Sequence, residues 1–523
     1  MQLNKLDTAV INYINELKAN HELQIKSIQT QFNTLQNEYD ELKEKYELLI
    51  YKRFARSAER LLVDTKQQLL FTEGKEQPEV EAKEEGKELQ EVKSFTRKKA
   101  GRKPLDANLP RREKIIDISE SEKTCACGAK LSRIGEESSE KLQIRPPEIY
   151  VEKIVRPKYA CRCCEGTDDE EKPTVRIAPV EPSIIPRSIA SPSLLSTIFT
   201  QKFEMHLPYY RQEKQFEQIG AEISRQDMAN WQQQVYIKLI PLLVILKDLV
   251  RSGPVMNMDE TTVQVIGEEG RDDTQKSRMW LARGGPPGKI VIWYEYHPTR
   301  AAYHAKEFLK DYKGYLQTDG YNGYDSAVKD IPEIIQAGCF AHARRKFFEA
   351  AKASKKPQSA EEGIKYIRRL YEVENSLRSE SLNENIFLEK RKTAAIVILS
   401  EFREWLLKRQ TELPPSSLLG EAVVYTLNQW DKLAAYLESP YLTPDNNAAE
   451  NGIRPFVLGR KNWLFCQSPQ GAKSSCGMYS LIETAKQNGL IPFKYLKALF
   501  EKAPLADSPD DWKKLLPWNI FTA

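Results

Sequence analysis

The sequence predicts a multidomain protein of mixed α/β class, and three observations lead to this prediction. A chain of 523 residues is too long for one hydrophobic core, so we expect three or four folded units. The first seventy residues contain no Gly or Pro and space their apolar side chains as a long helix does. The second half alternates strand-like and helix-like segments, which favours a sheet covered by helices.

Composition narrows the class of protein further. The hydrophobic fraction of 41% and the charged fraction of 29% are ordinary for a globular protein in water. No apolar run approaches the ~20 residues that a membrane-spanning helix needs. The amino-terminal segment also lacks the apolar core of a secretory signal. We therefore expect a cytoplasmic protein without a membrane partner.

Residues 1–70 carry an apolar seam that predicts a coiled coil. The seam steps by three and four residues through Ile25, Ile28, Phe32, Leu35, Tyr39, Leu42, Tyr46 and Leu49. Such a seam supercoils two helices, so we expect a homo-oligomer. The spacing is similar upstream but slips near His21. The alternative is one long helix that packs on its own protein.

Residues 71–115 are predicted to be a charged linker with a basic arm. Residues 71–93 hold eight Glu and four Lys, whereas residues 96–114 hold eight Lys or Arg and two acids. The acidic part has too little apolar content to fold alone. Arg102 and Lys103, in a Gly-Arg-Lys-Pro run, resemble arms that enter the DNA minor groove. A solvated linker without a binding role is the alternative.

Five of the eight cysteines cluster within residues 116–175 and predict a zinc ribbon. In a chain without an export signal, two groups of cysteines about 35 residues apart indicate metal rather than disulfides. Tyr150–Tyr159, between the groups, is rich in strand-forming residues. Cys163 could replace one of the second pair, and reduced thiols without metal are the alternative. The expected ligands of a structural Zn²⁺ are Cys125, Cys127, Cys161 and Cys164.

Residues 176–250 predict a helix-turn-helix. One face of its first helix is expected to hold Leu207, Tyr210, Phe216 and Ile219. Gly220 then opens a turn, and Ser224 with Asp227 forms a variant capping box for the second helix. Its buried stripe would be Met228, Trp231 and Val235, which leaves Arg225, Gln226 and Gln232–Gln234 outward. Arg and Gln suit contacts in the DNA major groove, although an ordinary helical hairpin is the alternative.

Two acid-bearing strands predict the catalytic part of the chain, residues 251–465. The strand Val255–Val265 places Asp259-Glu260 in apolar surroundings, where a carboxylate is costly unless it is paired or metal-bound. Three elements are expected next: strands at Met279–Ala282 and Ile290–Tyr296, and a helix at about 301–312. The strand Gly314–Thr318 then leads to Asp319. This order matches the ribonuclease-H-like layout, in which the first and fourth strands are adjacent, so the two Asp residues should converge.

A third acid, Glu450, follows a helix-start signal. Asp445 is a natural N-cap, which would place Glu450 in the second helical turn. Asn446, Asn447 and Arg454 would share its face. The pair Asn451-Gly452 would weaken that helix, and Pro455 would stop or kink it.

Five segments together resemble the transposase of the insertion-sequence sixty-six family. In chain order they read MDETTVQV, LQTDGYNGY, GCFAHARRKF, PDNNAAENGIRPFVLGRKNWLF and SLIETAKQNG. The resemblance extends from the coil to a helical tail at residues 466–523. It implies a ribonuclease-H-like core with the catalytic triad Asp259, Asp319 and Glu450. The separation of 131 positions from Asp319 to Glu450 then implies a helical insertion at about 346–440.

The resemblance also implies metal-dependent DNA chemistry. Two Mg²⁺ or Mn²⁺ ions on the three acids, with Asp259 bridging them, would serve strand cleavage by water and then joining by the freed 3′-hydroxyl. The expected partners are double-stranded element ends, target DNA, a second copy of the chain and accessory proteins of the same element. His342 is expected either to orient DNA or a water molecule or to be structural. The basic side chains expected to contact phosphates are Arg344, Arg345, Lys346, Arg460 and Lys461.

Two other functions stay open at this point. A non-catalytic DNA-binding protein would keep the coil, the ribbon and the helix-turn-helix, but the presence of all three acids argues against it. A nuclease that cuts without joining would share the triad. Transfer of a strand into a second duplex separates that nuclease from a transposase.

Overall fold

The computed structural model describes residues 3–54, 149–160, 175–354 and 357–521, and its elements are numbered along the chain. The helices are α1 (Leu3–Phe54), α2 (Pro192–Phe203), α3 (Tyr209–Gln218), α4 (Arg225–Lys238), α5 (Ile240–Val250), α6 (Ala302–Phe308), α7 (Asn322–Val328), α8 (Phe340–Ala353), α9 (Gln358–Ser379), α10 (Glu384–Glu412), α11 (Leu418–Asn428), α12 (Trp430–Ala434), α13 (Asn447–Trp463), α14 (Pro469–Gln487), α15 (Pro492–Lys502) and α16 (Pro509–Lys514). The strands are β1 (Lys158–Ala160), β2 (Val175–Ile177), β3 (Val255–Val265), β4 (Lys276–Gly284), β5 (Val291–His297), β6 (Gly314–Gln317), β7 (Ile334–Ala337) and β8 (Phe465–Cys466). None of the described helices is both long enough and apolar enough to cross a membrane.

Helix α1 is continuous through His21, where the sequence spacing slips. The eight seam side chains from Ile25 to Leu49 are between 52% and 67% exposed. The opposite face packs on α8 and α11. On that face Leu48 is buried, and the Ser416 hydroxyl donates a hydrogen bond to the Glu41 carboxylate. The contact with the rest of the chain and the apolar seam therefore use different faces of the helix.

The central sheet is mixed, with the strand order β5-β4-β3-β6-β7. Strand β4 is antiparallel to both of its neighbours, β3 and β5, whereas β6 and β7 run parallel to β3. The short β8 pairs with the far end of β3. The predicted adjacency of the first and fourth strands is thus confirmed, and β3 has the bounds that the sequence predicted.

Helices that precede the sheet strands in the chain, α2 to α5, and helices that follow them, α13 to α16, share one hydrophobic core with this sheet. Helix α14 lies on β5, where the Ser480 hydroxyl accepts a hydrogen bond from the Tyr294 N–H at 2.9 Å. The Thr484 hydroxyl accepts one from the Ile292 N–H at 3.0 Å. The segment predicted as a carboxyl-terminal tail therefore covers one face of the sheet, because its buried side chains complete the core.

The chain between β7 and α13 is helical and has a hydrophobic core of its own. Helices α8 to α12 form this insertion. At its base, Arg391 is fully buried and donates to Glu374 at 2.9 Å and to the carbonyl oxygens of Tyr436, Ser439 and Leu442. These bonds hold the segment that leads back towards α13.

The helix-turn-helix is formed by α3 and α4, joined at Gly220, which has a φ of 79°. Ser224 and Asp227 make the predicted capping box. Three side-chain predictions are wrong, two of them on the first helix. Tyr210 and Ile219 are exposed, since Tyr209, Gln212 and Phe216 form the buried face of α3.

Gln232, predicted to point outward, is buried. It accepts hydrogen bonds from the Tyr209 hydroxyl at 2.7 Å and from the Lys202 ammonium at 3.1 Å. It also donates to the Ser474 hydroxyl at 2.7 Å. A polar residue can occupy a core position when its partners are supplied by other helices, and those partners are distant in sequence.

The predicted strand at Tyr150–Tyr159 is wrong for most of its length. Residues 149–157 have no regular secondary structure, and only β1 pairs, antiparallel to β2. Side chains that favour strands form one only where a neighbouring strand is present, and here the pairing extends over three residues.

Candidate active site

Asp259 and Asp319 are carried by adjacent parallel strands and reach the same end of the sheet. In the pairing of β3 with β6, Asn257 lies opposite Gln317. Each Asp follows two residues later, and side chains two apart lie on the same face of a strand. The register therefore brings the two acids together, and the charge of Asp319 acts on Asp259.

The other acid of the pair, Glu260, is bound within the protein. The Arg300 Nε and the Tyr324 hydroxyl each donate to its carboxylate at 2.6 Å. Asp259 instead accepts the Glu260 N–H at 2.8 Å and faces Asp319 and Glu450. Sequence reasoning missed Arg300 and Tyr324, because they lie 40 and 64 positions from Glu260 and carry no local signal.

Helix α13 brings Glu450 to the two Asp residues. Its N-cap is Asn446 and not the predicted Asp445, whose carboxylate accepts the Asn447 N–H at 3.0 Å from outside the helix. Glu450 consequently lies in the first turn and not in the second. The Asn446 side chain donates a hydrogen bond to the Met258 carbonyl at 2.9 Å. This bond connects the start of α13 to β3.

Helix α13 continues past Pro455 to Trp463, so Pro455 does not stop the helix, and the alternative, a kink at the proline, stays a prediction. A Cβ atom at Gly452 would lie 3.2 Å from Leu281 Cδ1, which shows how closely the helix approaches β4. Further along, the Arg460 guanidinium donates to the hydroxyls of Thr261 at 3.1 Å and Thr262 at 2.9 Å. Packing on the sheet outweighs the local preference to end at proline.

Burial raises the pKa of all three carboxyls, and repulsion by neighbouring acids adds to this rise at Asp259 and Glu450. Burial, together with the charges of Glu260, Asp319 and Glu450, raises the pKa of Asp259 well above its ordinary value. Burial likewise raises the pKa of Asp319. Burial raises the pKa of Glu450 to about 7, although the Arg345 guanidinium lowers it. A bound cation would lower these pKa values again, because its positive charge favours the ionised carboxylates.

The donor atoms fit a divalent cation with oxygen ligands. Glu450 is 4% exposed, and neither of its carboxyl oxygens has a hydrogen-bond partner among the described residues. A buried carboxylate without partners is costly. Carboxylate oxygens are the ligands that Mg²⁺ and Mn²⁺ prefer. Asp259, Asp319 and Glu450 are therefore the residues that could hold such ions.

Cys339 and His342 add two further donor groups beside Glu450. One ligand atom from each of the three residues lies within 4.8 Å of the others. Burial, with the charges of Arg345 and Lys346, lowers the pKa of His342 to about 4, so its imidazole is neutral at neutral pH. The sequence placed His342 in a motif but did not reveal Glu450 as its neighbour.

The residues predicted to contact DNA lie in several parts of the chain. Arg225 and Gln226 are exposed at the start of α4, and Lys461 is exposed near the end of α13. Arg460 donates hydrogen bonds to threonine hydroxyls of β3, and its contact with a phosphate stays a prediction. Arg344, Arg345 and Lys346 lie on α8, and the charge of Arg345 acts on Asp319 and Glu450. Outside the described residues lie Arg102, Lys103, Cys125, Cys127, Cys161, Cys163 and Cys164.

Comparison with protein families finds matches along most of the chain. A model described as "Transposase IS66 family" matches residues 187–474, which is more than half of the chain. "Zinc-finger binding domain of transposase IS66" matches residues 122–165, and "IS66 C-terminal element" matches residues 480–518. "Transposase C of IS166 homeodomain" matches residues 41–113.

Three proteins of Sinorhizobium fredii (strain NBRC 101917 / NGR234) are similar to most of this chain. Uncharacterized protein y4hP is 32% identical over 465 residues, which cover 84% of this chain and 81% of that protein. Uncharacterized protein y4jD is 30% identical over 426 residues, covering 79% and 81%. Uncharacterized protein y4qI is 31% identical over 450 residues, covering 83% and 81%.

Proposed function

The chain belongs to the IS66 transposase family, and from this premise we propose that it is a DNA transposase that cuts the ends of an insertion sequence and joins them to target DNA. One observation carries the proposal. Three acids that are distant in sequence, Asp259, Asp319 and Glu450, converge where the first strand, the fourth strand and the helix after the insertion meet.

We propose further that the catalytic core is ribonuclease-H-like. The strand order supports this, since β3 is flanked by the antiparallel β4 and β5 on one side and by the parallel β6 and β7 on the other. The position of the helical insertion between the second and third acids is consistent with it.

The three acids are proposed to hold two Mg²⁺ or Mn²⁺ ions. When bound, such ions activate the attacking oxygen and stabilise the leaving oxygen of a phosphodiester. Asp259, on the central strand, is the candidate for the shared ligand. Arg345 opposes the rise in the pKa of Asp319 and Glu450 that burial causes, so it favours their ionised forms, and it adds positive charge for a DNA phosphate.

DNA binding is proposed to combine base and phosphate contacts. Arg225 and Gln226 suit the major groove, because they project from the start of the second helix of the helix-turn-helix. Arg344, Lys346 and Lys461 would contact phosphates, and Arg102 and Lys103 would belong to the basic arm. Structural Zn²⁺ is proposed on Cys125, Cys127, Cys161 and Cys164, within the segment that matches the zinc-finger family model.

Self-association is proposed for α1. Its seam is exposed along eight positions, and an exposed heptad seam is stabilised by pairing with a second copy. Transposition needs two element ends held together, which a dimer provides. Accessory proteins of the same element are the other proposed partners.

The proposal is tested with purified full-length protein, a duplex that carries an element end, a target plasmid and Mg²⁺. A transposase releases 3′ ends and also forms joined products, and chelation of the metal abolishes both. A duplex of equal length without the end sequence is the control. Cleavage without joining would instead identify a nuclease, and end binding without either reaction would identify a non-catalytic DNA-binding protein.

A further inference from the structure

Directly beneath the three acids lies a layer of three buried side-chain amides. Asn257, Gln317 and Asn446 are 4%, 1% and 1% exposed. They belong to the elements that carry the acids: Asn257 precedes Asp259 by two residues on β3, and Gln317 precedes Asp319 by two residues at the end of β6. Asn446, the N-cap of α13, precedes Glu450 by four residues, which is about one helical turn.

The amides are joined to one another by hydrogen bonds. Asn257 Nδ2 donates to Gln317 Oε1 at 3.0 Å and to Asn446 Oδ1 at 3.0 Å. Because one amide group bridges the other two, it fixes the separation of the three elements at a single point. The bridge requires a side chain with two N–H donors, which Asn supplies and which Asp or an apolar residue does not.

The layer also ties in both ends of the helical insertion. Gln317 Nε2 donates to the Gly338 carbonyl at 3.1 Å and to the Thr443 carbonyl at 2.6 Å. Gly338 lies just before α8, and Thr443 lies just before the N-cap of α13. The Asn446 N–H donates a hydrogen bond to Cys339 Sγ at 3.2 Å. This bond is a second link between the start of α8 and the start of α13.

Packing alone does not require these amides. Met256, Met258 and Leu316, which alternate with the amides and lie on the other face of the same strands, are apolar and equally buried. A hydrogen-bonded buried amide adds little net stability over an apolar side chain of the same shape. Its particular contribution is a fixed geometry, since a hydrogen bond tolerates little change in distance or angle.

A fixed geometry is useful here because the three carboxyls repel one another when they are ionised. Without a cation between them, that repulsion acts to separate β3, β6 and the start of α13. The amide layer opposes the separation within a few residues of where the force acts.

Resting on the proposed function, we propose that Asn257, Gln317 and Asn446 are positioning residues that hold Asp259, Asp319 and Glu450 at the spacing needed for divalent metal binding before the metal arrives. The layer touches neither the metal nor DNA in this proposal. Its role is to lower the cost of assembling the site.

The test measures Mn²⁺ binding to full-length protein by the electron paramagnetic resonance signal of the free ion, together with thermal unfolding. Asn257→Leu removes both bridging bonds with a side chain of similar size. We expect its dissociation constant for Mn²⁺ to rise by about tenfold or more, as for other residues that orient metal ligands. Gln317→Met keeps the length of the side chain and removes one bridging bond together with the two bonds to the Gly338 and Thr443 carbonyls. It is the second variant if Asn257→Leu does not fold.

The matched control is Thr484→Val, which deletes a buried hydroxyl that bonds the backbone of β5 elsewhere in the same core. It should lower the unfolding temperature as much as Asn257→Leu or more while leaving Mn²⁺ affinity unchanged. The inference would be overturned if Thr484→Val weakened Mn²⁺ binding as much as Asn257→Leu does. It would also be overturned if neither Asn257→Leu nor Gln317→Met changed Mn²⁺ affinity. Asp259→Asn separates this failure from failure of the proposed function: if it also binds Mn²⁺ as the wild type does, the acids are not the metal site.

Discussion

His342 Nδ1 lies 3.8 Å from Glu450 Oε1, so a neutral imidazole faces a buried carboxyl. The two residues flank the helical insertion in the chain, since His342 lies on its first helix, α8, and Glu450 lies on α13, which follows it. Their proximity places the first helix of the insertion beside one of the acids. It also gives His342 a neighbour through which it can influence the reaction.

His342→Leu should slow strand cleavage by about 10–100-fold, the range for residues that orient a metal ligand. His342→Gln should retain more activity, because its amide keeps a neutral polar N–H group beside the Glu450 carboxyl. Single-turnover cleavage at saturating Mg²⁺ measures both. Wild-type rates for His342→Leu would show that the imidazole has a structural role only.

The double substitution Leu35→Lys and Leu42→Lys should reduce the oligomeric mass of the protein in light scattering. Both side chains are exposed on the seam, so the change should leave the fold intact while it impairs joining more than end binding. Leu48→Ala is the control on the opposite face of α1. It should lower the free energy of unfolding by about 2 kcal/mol without changing the mass. An unchanged mass in the seam variant would refute pairing through α1.

Gly452→Val should destabilise the protein by about 1–3 kcal/mol in chemical denaturation, because a branched side chain would force α13 away from Leu281. Gly452→Ala should stay within about 1 kcal/mol of the wild type. Its contact is with the end of a flexible leucine, and alanine favours the helix by about 1 kcal/mol. If the valine variant unfolds at the wild-type denaturant concentration, the close approach of helix and sheet is not what requires the glycine.

Cys161→Ser should remove the structural zinc and weaken end binding, while Mg²⁺-dependent cleavage of a bound end persists. Thiolates prefer Zn²⁺, whereas the acids prefer Mg²⁺, so the two kinds of site should respond independently. Elemental analysis of the full-length protein should find about one zinc per chain, as for a four-thiolate site. Cys466→Ser, in β8, is the control and should keep its zinc. A wild-type protein without zinc would contradict the ribbon.

Local signals in the sequence predicted those features that depend on neighbouring residues. The capping box at Ser224 and the bounds of β3 follow from spacing over a few residues, and both are observed. The adjacency of β3 and β6 was predicted from the order of strands and helices, which matches a layout whose first and fourth strands are neighbours. The pairing of the two strands is observed.

Features that depend on distant partners could not be predicted in this way. Gln232 was expected on the surface because its partners, Tyr209 and Ser474, lie on other helices. The continuation of α13 past Pro455 depends on its packing against the sheet, which no local preference encodes. For the same reason the amide layer beneath the acids is not visible in the sequence, where Asn257, Gln317 and Asn446 have no common motif.

The most direct test of the central claim compares Asp259→Asn, Asp319→Asn and Glu450→Gln with the wild type in one assay of end binding, cleavage and joining in Mg²⁺. Each variant keeps the size of its side chain and removes a charge that would hold a metal. We predict that end binding stays near the wild-type level, because it depends on the helix-turn-helix and basic surfaces, while cleavage and joining are both lost. Cleavage and joining near the wild-type rate in any one variant would contradict the assignment of that residue to the metal site.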